Sequence, residues 1–253
     1  MPDDNTRVTA ALVVIGEEIL SGRTRDDNTA YIAAYLTRAG IALREVRVVP
    51  DIEAEIVAAV NALRPRHSYV FTTGGIGPTH DDVTTDAIAK AFELEVVVDP
   101  QAVETMRKHY SEGELTPARL RMARVPRGAT LIDNPISRAP GFMVENVVVM
   151  AGVPRIMQVM LDAVMPTLRT GSPIVSRAVR IDAAEGDVAP GLAELQAEHP
   201  EVQVGSYPFF EQRRLGTYAV LRSDRPDLLD LALESLWKII RREQLSAVPA
   251  DPD

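Results

Sequence analysis

A polar, glycine-rich stretch at residues 72–84 is the part of the sequence best suited to chemistry. It reads Thr-Thr-Gly-Gly-Ile-Gly-Pro-Thr-His-Asp-Asp-Val-Thr and follows an apolar segment with the pattern of a strand. Glycines at a strand end let the backbone approach a phosphate and offer N–H groups to it. The stretch lacks the Gly-Lys-Ser/Thr of a Walker A loop and the third glycine of the dinucleotide fingerprint. It predicts either a phosphate-binding loop of another type or a tight turn with a helix cap.

Two adjacent carboxylates, Asp81 and Asp82, follow these glycines. They would repel an anionic ligand unless a cation lay between them, and hard ions such as Mg²⁺ prefer carboxylate oxygens. A single Asp that caps the next helix would also account for the pattern. The sequence leaves a metal site and plain helix capping as open alternatives.

Three further polar clusters follow predicted strands, at residues 16–22, 134–142 and 152–155. Carboxyl ends of parallel strands meet at one edge of a sheet, where ligands bind. We therefore expect Glu18, in the first cluster, to lie near the same crevice as Asp82. A solvated loop is the alternative for each cluster.

Composition limits the classes of function. The chain has 253 residues, enough for two modest domains, and it has no cysteine, which excludes disulfides, thiolate metal sites and cysteine nucleophiles. Its net charge of −9 argues against a basic nucleic-acid binder. Because it has a polar start and lacks the roughly 20 apolar residues of a membrane helix, we expect a cytoplasmic protein that does not bind membranes.

The first part of the chain alternates strand and helix patterns, which predicts a parallel sheet covered on both faces. The predicted strands are residues 10–15, 43–49 and 69–73, and the predicted helices are residues 27–39, 52–63 and 84–92. After these, strands are predicted at residues 95–98, 129–133 and 147–151, and helices at residues 100–110, 116–123 and 153–168.

A linker is predicted at residues 170–173, where Thr-Gly-Ser-Pro interrupts the pattern. Beyond it the segments have the order βαββα, which predicts a small α+β module. The tail at residues 247–253 is rich in Pro and Asp, so we expect it to be frayed.

Taken together, the loops resemble the MoaB/Mog molybdopterin-binding domain. The motifs that carry the resemblance are Gly-Glu-Glu at 16–18, the stretch at 73–84, Ala-Pro-Gly-Phe at 139–142 and Gly-Val-Pro-Arg at 152–155. Within that group the chain most resembles the N-terminal part of the competence/damage-inducible protein A family. It is also similar to the molybdopterin-binding-like domain of FAD synthases. The sequence departs from the family pattern at Ala151, Ile156 and the Ser137-Arg138 pair.

The resemblance implies a three-layer α/β/α domain at residues 8–170, with a mainly parallel sheet, followed by the α+β module at residues 173–243. It implies a ligand that is a phosphorylated pterin, such as molybdopterin, or a dinucleotide. The implied ligand-binding residues are Gly74, Gly75, Gly77, Thr79, Thr84, Asn28, Ser137 and Gly141. The implied acidic residues, for catalysis and for a divalent metal (Mg, Mn or Co), are Asp82, Asp81 and Glu18.

Three functions are compatible with these residues. The first is binding of a phosphorylated pterin or nucleotide, and the second is a metal-dependent pyrophosphatase that acts on ADP-ribose or FAD. The third is a regulatory protein that binds a ligand without chemistry. We also expect a homo-oligomer, and neither the amidohydrolase domain nor the nucleotidyltransferase domain of relatives.

Overall fold

The computed structural model describes residues 8–111, 113–211 and 214–251. The chain divides into two compact units, with the main division between Gly171 and Ser172 and with Arg38–Gly40 grouped with the second unit. Among the described residues, no helix is long and apolar enough to cross a membrane.

The first unit alternates strands and helices over most of its length. Its strands are β1 (Val8–Ile15), β2 (Ile41–Val49), β3 (Tyr69–Thr73), β4 (Val96–Val98), β5 (Arg124–Pro126), β6 (Thr130–Ile132), β7 (Gly141–Val144) and β8 (Val147–Met150). Its α-helices are α1 (Glu17–Leu20), α2 (Asn28–Arg38), α3 (Glu53–Leu63), α4 (Thr84–Ala91), α5 (Pro100–Arg107), α6 (Pro117–Leu120) and α7 (Pro154–Val164).

Six of these strands form one sheet in the order β2-β1-β3-β8-β7-β6. The first four are parallel to one another, and β7 and β6 extend the sheet in antiparallel fashion. Consecutive residues of β1 from Ala10 to Ile15 are all buried, which requires cover on both faces of the sheet. The expected α/β class with a mainly parallel sheet is confirmed.

The sheet brings the ends of β1, β3 and β8 to the same edge, because these strands are parallel neighbours. Gly16, Gly74 and Ala151 are the residues that directly follow them. A Cβ atom on Gly152 would lie 3.2 Å from the Cα atom of Gly74, so the loops after β3 and β8 touch through their backbones. The topology thus joins polar clusters that are far apart in the sequence.

One strand of the large sheet was not predicted. Residues 134–140 form turns and irregular backbone, in agreement with the turn-rich segment expected at residues 134–141, but the strand β7 begins at Gly141. Its residue Phe142 pairs with Leu131 of β6 and with Val149 of β8. β7 is only four residues long and begins at Gly141, directly after Pro140. Because Pro and Gly are typical of turns, the sequence lacks the alternation that predicts a strand.

The second unit is an antiparallel sheet with two helices. Its elements are β9 (Val175–Ile181), α8 (Glu185–Glu198), β10 (Gln203–Glu211), β11 (Arg214–Ser223), α9 (Pro226–Arg242) and β12 (Ala247–Ala250). The strands have the order β10-β11-β9-β12.

The tail was predicted to be frayed, and for residues 247–250 that prediction is wrong. These residues form β12, which pairs antiparallel with residues 178–181 of β9. The backbone N–H of Asp182 donates to the carbonyl of Ser246, and Ala247 packs against the apolar cluster of this unit. The order is therefore βαββαβ, because β9 offers an edge that the tail can pair with.

Each unit has an apolar cluster of its own, and this predicts separate folding. One cluster joins β1 and β3 to α3 and α4, and another joins β9 and β11 to α8 and α9. A polypeptide of residues 1–171 should therefore unfold in one cooperative thermal transition, followed by circular dichroism in the far and near ultraviolet. A broad transition without near-ultraviolet signal would show that the second unit is needed to complete the first.

Candidate functional site

A cleft of about 560 Å³ lies at the edge where β1, β3 and β8 end. That volume is in the usual range for small-molecule sites. Its walls come from the loops after these strands, from Asp51 after β2, and from the segment before β7. The predicted site residues that line it are Glu18, Gly74, Gly75, Gly77, Asp81, Asp82 and Ser137. Asn28, Thr79, Thr84 and Gly141, also predicted, lie outside the lining.

The glycines at the end of β3 allow the turn itself to form. Gly74 and Gly75 have φ angles of 102° and 67°, in the left-handed region that favours glycine. A Cβ atom on Gly74 would collide with the carbonyl oxygen of Ile15, and one on Gly75 with the hydroxyl of Thr84. The sequence predicts that these glycines make room for a phosphate. In the structure, glycine is required at both positions by the backbone angles and by the close contacts with Ile15 and Thr84.

Thr84 fixes the glycine turn to the start of α4. Its hydroxyl donates a hydrogen bond to the carbonyl oxygen of Gly74 at 3.0 Å. Its backbone N–H donates to the carbonyl oxygen of Gly75, also at 3.0 Å. The Thr84 side chain is fully buried, so it supports the turn from the interior of the protein.

Asp82 stabilises the next part of this loop, residues 77–79. Its Oδ2 atom accepts a hydrogen bond from the backbone N–H of Thr79 at 2.8 Å and another from the Thr79 hydroxyl. A Cβ atom on Gly77 would lie 2.7 Å from the same oxygen, so the carboxylate covers the bare backbone of Gly77. Asp81 beside it is 67% exposed, and hydrogen bonding by Thr79 holds its pKa below the ordinary value.

The loops after β1 and β2 bring two more carboxylates to the cleft. Glu18 folds back over Gly16, where a Cβ atom would lie 2.7 Å from the carboxylate oxygens. Asp51 accepts a hydrogen bond from the backbone N–H of Glu17 at 2.9 Å. Burial raises the pKa of Asp51, and the negative charges of Glu18 and Asp81 raise it further.

Asp51 was not among the residues predicted from the sequence. The signal was its position two residues after a strand of the parallel sheet, where polar residues gather at the ligand-binding edge. It escaped notice because Pro50 and Ile52 flank it, so no glycine or second polar residue adjoins it in the sequence.

Asn134 fixes the conformation of residues 134–139, the segment that precedes β7. Its Nδ2 atom donates to the Ser137 hydroxyl at 2.6 Å and to the carbonyl of Ala139 at 2.8 Å, while its Oδ1 atom accepts from the backbone of Ile136 and Ser137. This network presents Ser137 to the cleft. Gly141 lies in β7 instead, where a Cβ atom would meet the carbonyl of Val149 at 2.5 Å.

Asn28, in helix α2, does not line the cleft but bonds to the loop after β8, which does. Its Nδ2 atom donates to the carbonyl of Gly152 at 2.7 Å, and the side chain is buried. Asp26 accepts hydrogen bonds from the backbone of Asn28 and Thr29, so Asp26 caps the helix. Asn28, expected to bind ligand, thus positions the loop after β8.

The three predicted metal ligands, Glu18, Asp81 and Asp82, all line the cleft. Across the described parts of the chain, no three side chains of His, Asp or Glu are clustered around a common point. Asp82 accepts bonds from Thr79, and Glu18 lies over Gly16, so each of these two carboxylates also stabilises its own loop. Metal binding by Glu18, Asp81 and Asp82 stays a prediction.

The lining of the cleft combines carboxylates with a helix N-terminus. Its acidic residues are Glu18, Asp51, Asp81 and Asp82, and Val153, Pro154 and Ile156, at the start of α7, belong to the same lining. No side chain caps the N-terminus of α7, so no capping group offsets the partial positive charge of the helix start.

Comparison with known proteins gives consistent matches. The family model described as a probable molybdopterin binding domain matches residues 11–170, and the model of the FAD synthase middle domain matches residues 173–248. A protein of Pyrobaculum calidifontis is 37% identical over 211 residues, which cover 79% of this chain and 80% of that protein. A CinA-like protein of Desulfosudis oleivorans is 40% identical over 168 residues, which cover 64% of this chain and 41% of that protein. Among solved structures, the protein CinA of unknown function from Thermoplasma acidophilum is 35% identical, with a TM-score of 0.60, over 64% of this chain and 98% of that one.

The collision between Gly75 and Thr84 predicts a specific loss of stability. Gly75→Ala should lower the free energy of unfolding by about 1–2 kcal/mol for the left-handed backbone and by about 1–3 kcal/mol more for overpacking. Gly128→Ala is the matched control, because Gly128 has a φ of 83° and open space around it. Urea unfolding of both variants measures the difference, and equal losses would contradict the packing of Thr84 against Gly75.

The raised pKa of Asp51 predicts a pH dependence of stability. The folded protein holds this proton more tightly than the unfolded chain, so stability falls as the pH rises from the ordinary value of 3.8 to the raised folded value. Asp51→Asn keeps an acceptor for Glu17 and removes the charge. Its stability relative to wild type should increase with pH over that interval, by less than about 1 kcal/mol in this solvent-screened position.

Urea unfolding from pH 4 to pH 8 tests this expectation. Asp162→Asn, on the exposed face of α7, is the control and should show no such trend. A stability difference for Asp51→Asn that does not vary with pH would contradict the raised pKa of Asp51.

Proposed function

The chain belongs to the family of the probable molybdopterin binding domain, and from that premise we propose that its cleft binds a phosphorylated pterin or a nucleotide. The resemblance drawn from the loop motifs, including that to the CinA proteins, is confirmed. The identity of the ligand is our proposal, supported by the geometry of the cleft.

The observation that carries the proposal is the exposed backbone of Gly152 near the start of α7. Gly152 lines the cleft two residues before Pro154, the first residue of α7, and no side chain caps that helix N-terminus. Gly74 packs against it, since a Cβ atom on Gly152 would lie 3.2 Å from the Cα atom of Gly74, but Gly74 itself is buried, with its N–H and carbonyl bonded to Met150 and Thr84. Bare backbone beside a helix N-terminus is the usual protein environment for a phosphate group.

The charges of the cleft support one orientation of the ligand. A phosphate near Glu18, Asp51 and Asp81 would be repelled, whereas the start of α7 attracts it. The carboxylates are acceptors and match the ring N–H and amino groups of an aminopyrimidinone or an adenine. We therefore propose that the phosphate binds at the Gly152 backbone and the start of α7, with the heterocycle toward the carboxylates.

The pyrophosphatase alternative stays a prediction. The described residues offer no metal site of their own, so no hydrolytic step can be derived from them. The regulatory alternative differs from our proposal only in its consequence, since it uses the same binding event.

A thermal-shift panel tests the proposed ligand class. The probes are a pterin phosphate ester, the same pterin without phosphate, FAD, ADP-ribose and inorganic pyrophosphate, each with and without Mg²⁺, Mn²⁺ or Co²⁺. A ligand present at 100 times its Kd should stabilise the protein by about 2.7 kcal/mol. Phosphorylated heterocycles should stabilise more than the unphosphorylated pterin or pyrophosphate alone, because each of these lacks one end of the ligand.

A charge placed at the start of α7 makes the test specific to the cleft. Ile156→Glu puts a carboxylate in the lining beside the expected phosphate, and an acidic residue in the first helical turn does not oppose the helix dipole. It should remove most of the stabilisation by phosphorylated ligands, whereas Ala163→Glu, on the exposed far part of α7, should preserve it. Full protection of Ile156→Glu, or no stabilisation of wild type by any probe, would overturn the proposal.

A further inference from the structure

Strand β2 forms an open edge of the six-stranded sheet. It is nine residues long and is the first strand in the sheet order, paired only with β1 among the described strands. The carbonyl of Val49 accepts a hydrogen bond from Gly16, which follows β1, so the backbone groups of Val49 point toward β1. By the alternation of a strand, those of Val46 and Val48 point outward, where they are free to pair with another strand.

The side chains of this edge are apolar on one face and charged on the other. Val46 and Val48 are 41% and 39% exposed, so this face of the strand offers apolar surface to the solvent. Glu45 and Arg47 lie on the opposite face and contact each other at 2.8 Å. Arg66 approaches Glu45 at 3.2 Å. An unpaired edge of this kind is a template for pairing with another chain.

We propose that β2 pairs in antiparallel fashion with β2 of a second copy of this chain, about a two-fold axis at Val46. Val46 of each copy then lies opposite Val46 of the partner subunit, and the outward backbone groups of the two residues bond to each other. In the same register Glu45 lies opposite Arg47 of the partner subunit, and Arg47 opposite Glu45 of the partner subunit. Each Glu45 is thereby placed between Arg66 of its own chain and an arginine of the other.

Charge selects this register over its neighbours. An axis at Glu45 would place two carboxylates opposite each other, and an axis at Arg47 would place two guanidinium groups opposite each other. An axis at Val48 would pair Arg47 with Val49 and give the charges no partner across the two strands. Only the Val46 axis puts opposite charges across the strands, and like charges directly opposite destabilise a sheet.

A bulge limits the length of the pairing. The register of β2 against β1 shifts between Ala10 and Ala11, because Arg44 is an extra residue in β2. Regular pairing between copies therefore begins at Glu45, and the bulge keeps the edge from extending into an unlimited sheet. The two-fold symmetry uses the edge of both copies, so the assembly closes as a dimer.

Charge reversal on the full-length protein tests the register. Glu45→Arg places arginine opposite Arg47 of the partner subunit, and Arg47→Glu places glutamate opposite Glu45 of the partner subunit. Each variant alone should raise the dimer dissociation constant by about 10-fold or more in sedimentation velocity. An equimolar mixture of the two should recover dimers, because in the mixed pair every charge again faces its opposite.

A backbone variant provides an independent measurement. Val46→Pro removes an outward N–H group, a change that an edge strand tolerates. It should abolish the dimer, while thermal unfolding reports that each variant remains folded. A wild-type protein that is monomeric at all concentrations would overturn the proposal, as would variants that assemble as the wild type does, or a mixture that fails to recover dimers.

Discussion

The cleft depends on the close contact of three backbone segments at Gly74. A side chain at this position would collide with the carbonyl of Ile15, and a Cβ atom on Gly152 would lie 3.2 Å from its Cα atom. Parallel neighbouring strands that end at the same level can meet in this way only where side chains are absent. The rest of the site is arranged around that contact.

Polar side chains stabilise the turns that the glycines allow. Thr84 lies under Gly75, Asp82 lies over Gly77 and Glu18 lies over Gly16. Residues of this kind look like ligands in the sequence, yet several of their oxygens already serve their own loops. What remains for a ligand is the exposed backbone of Gly152, the uncapped start of α7 and the carboxylates of the lining, among which burial and the charges of Glu18 and Asp81 raise the pKa of Asp51.

The two edges of the large sheet have different properties. On one side the antiparallel strands β7 and β6 extend the sheet, and the network of Asn134 fixes the segment that precedes β7. On the other side β2 ends the sheet with outward backbone groups and exposed valines. The first edge contributes a wall of the cleft, and the second offers a surface to another chain.

Much of the fold followed from the sequence alone. Continuous apolar runs such as residues 10–15 predict buried parallel strands, and the glycine-rich stretch at residues 72–84 marked the functional edge, since both signals are local. The tertiary structure decided which polar groups meet. Asn28 bonds to Gly152, 124 residues away, and Asp51 lies near Glu18 and Asp81 because their strands are neighbours. That the carboxylates of Glu18 and Asp82 lie over glycines of their own loops was likewise beyond the sequence, because the direction of a side chain depends on the conformation of the turn that carries it.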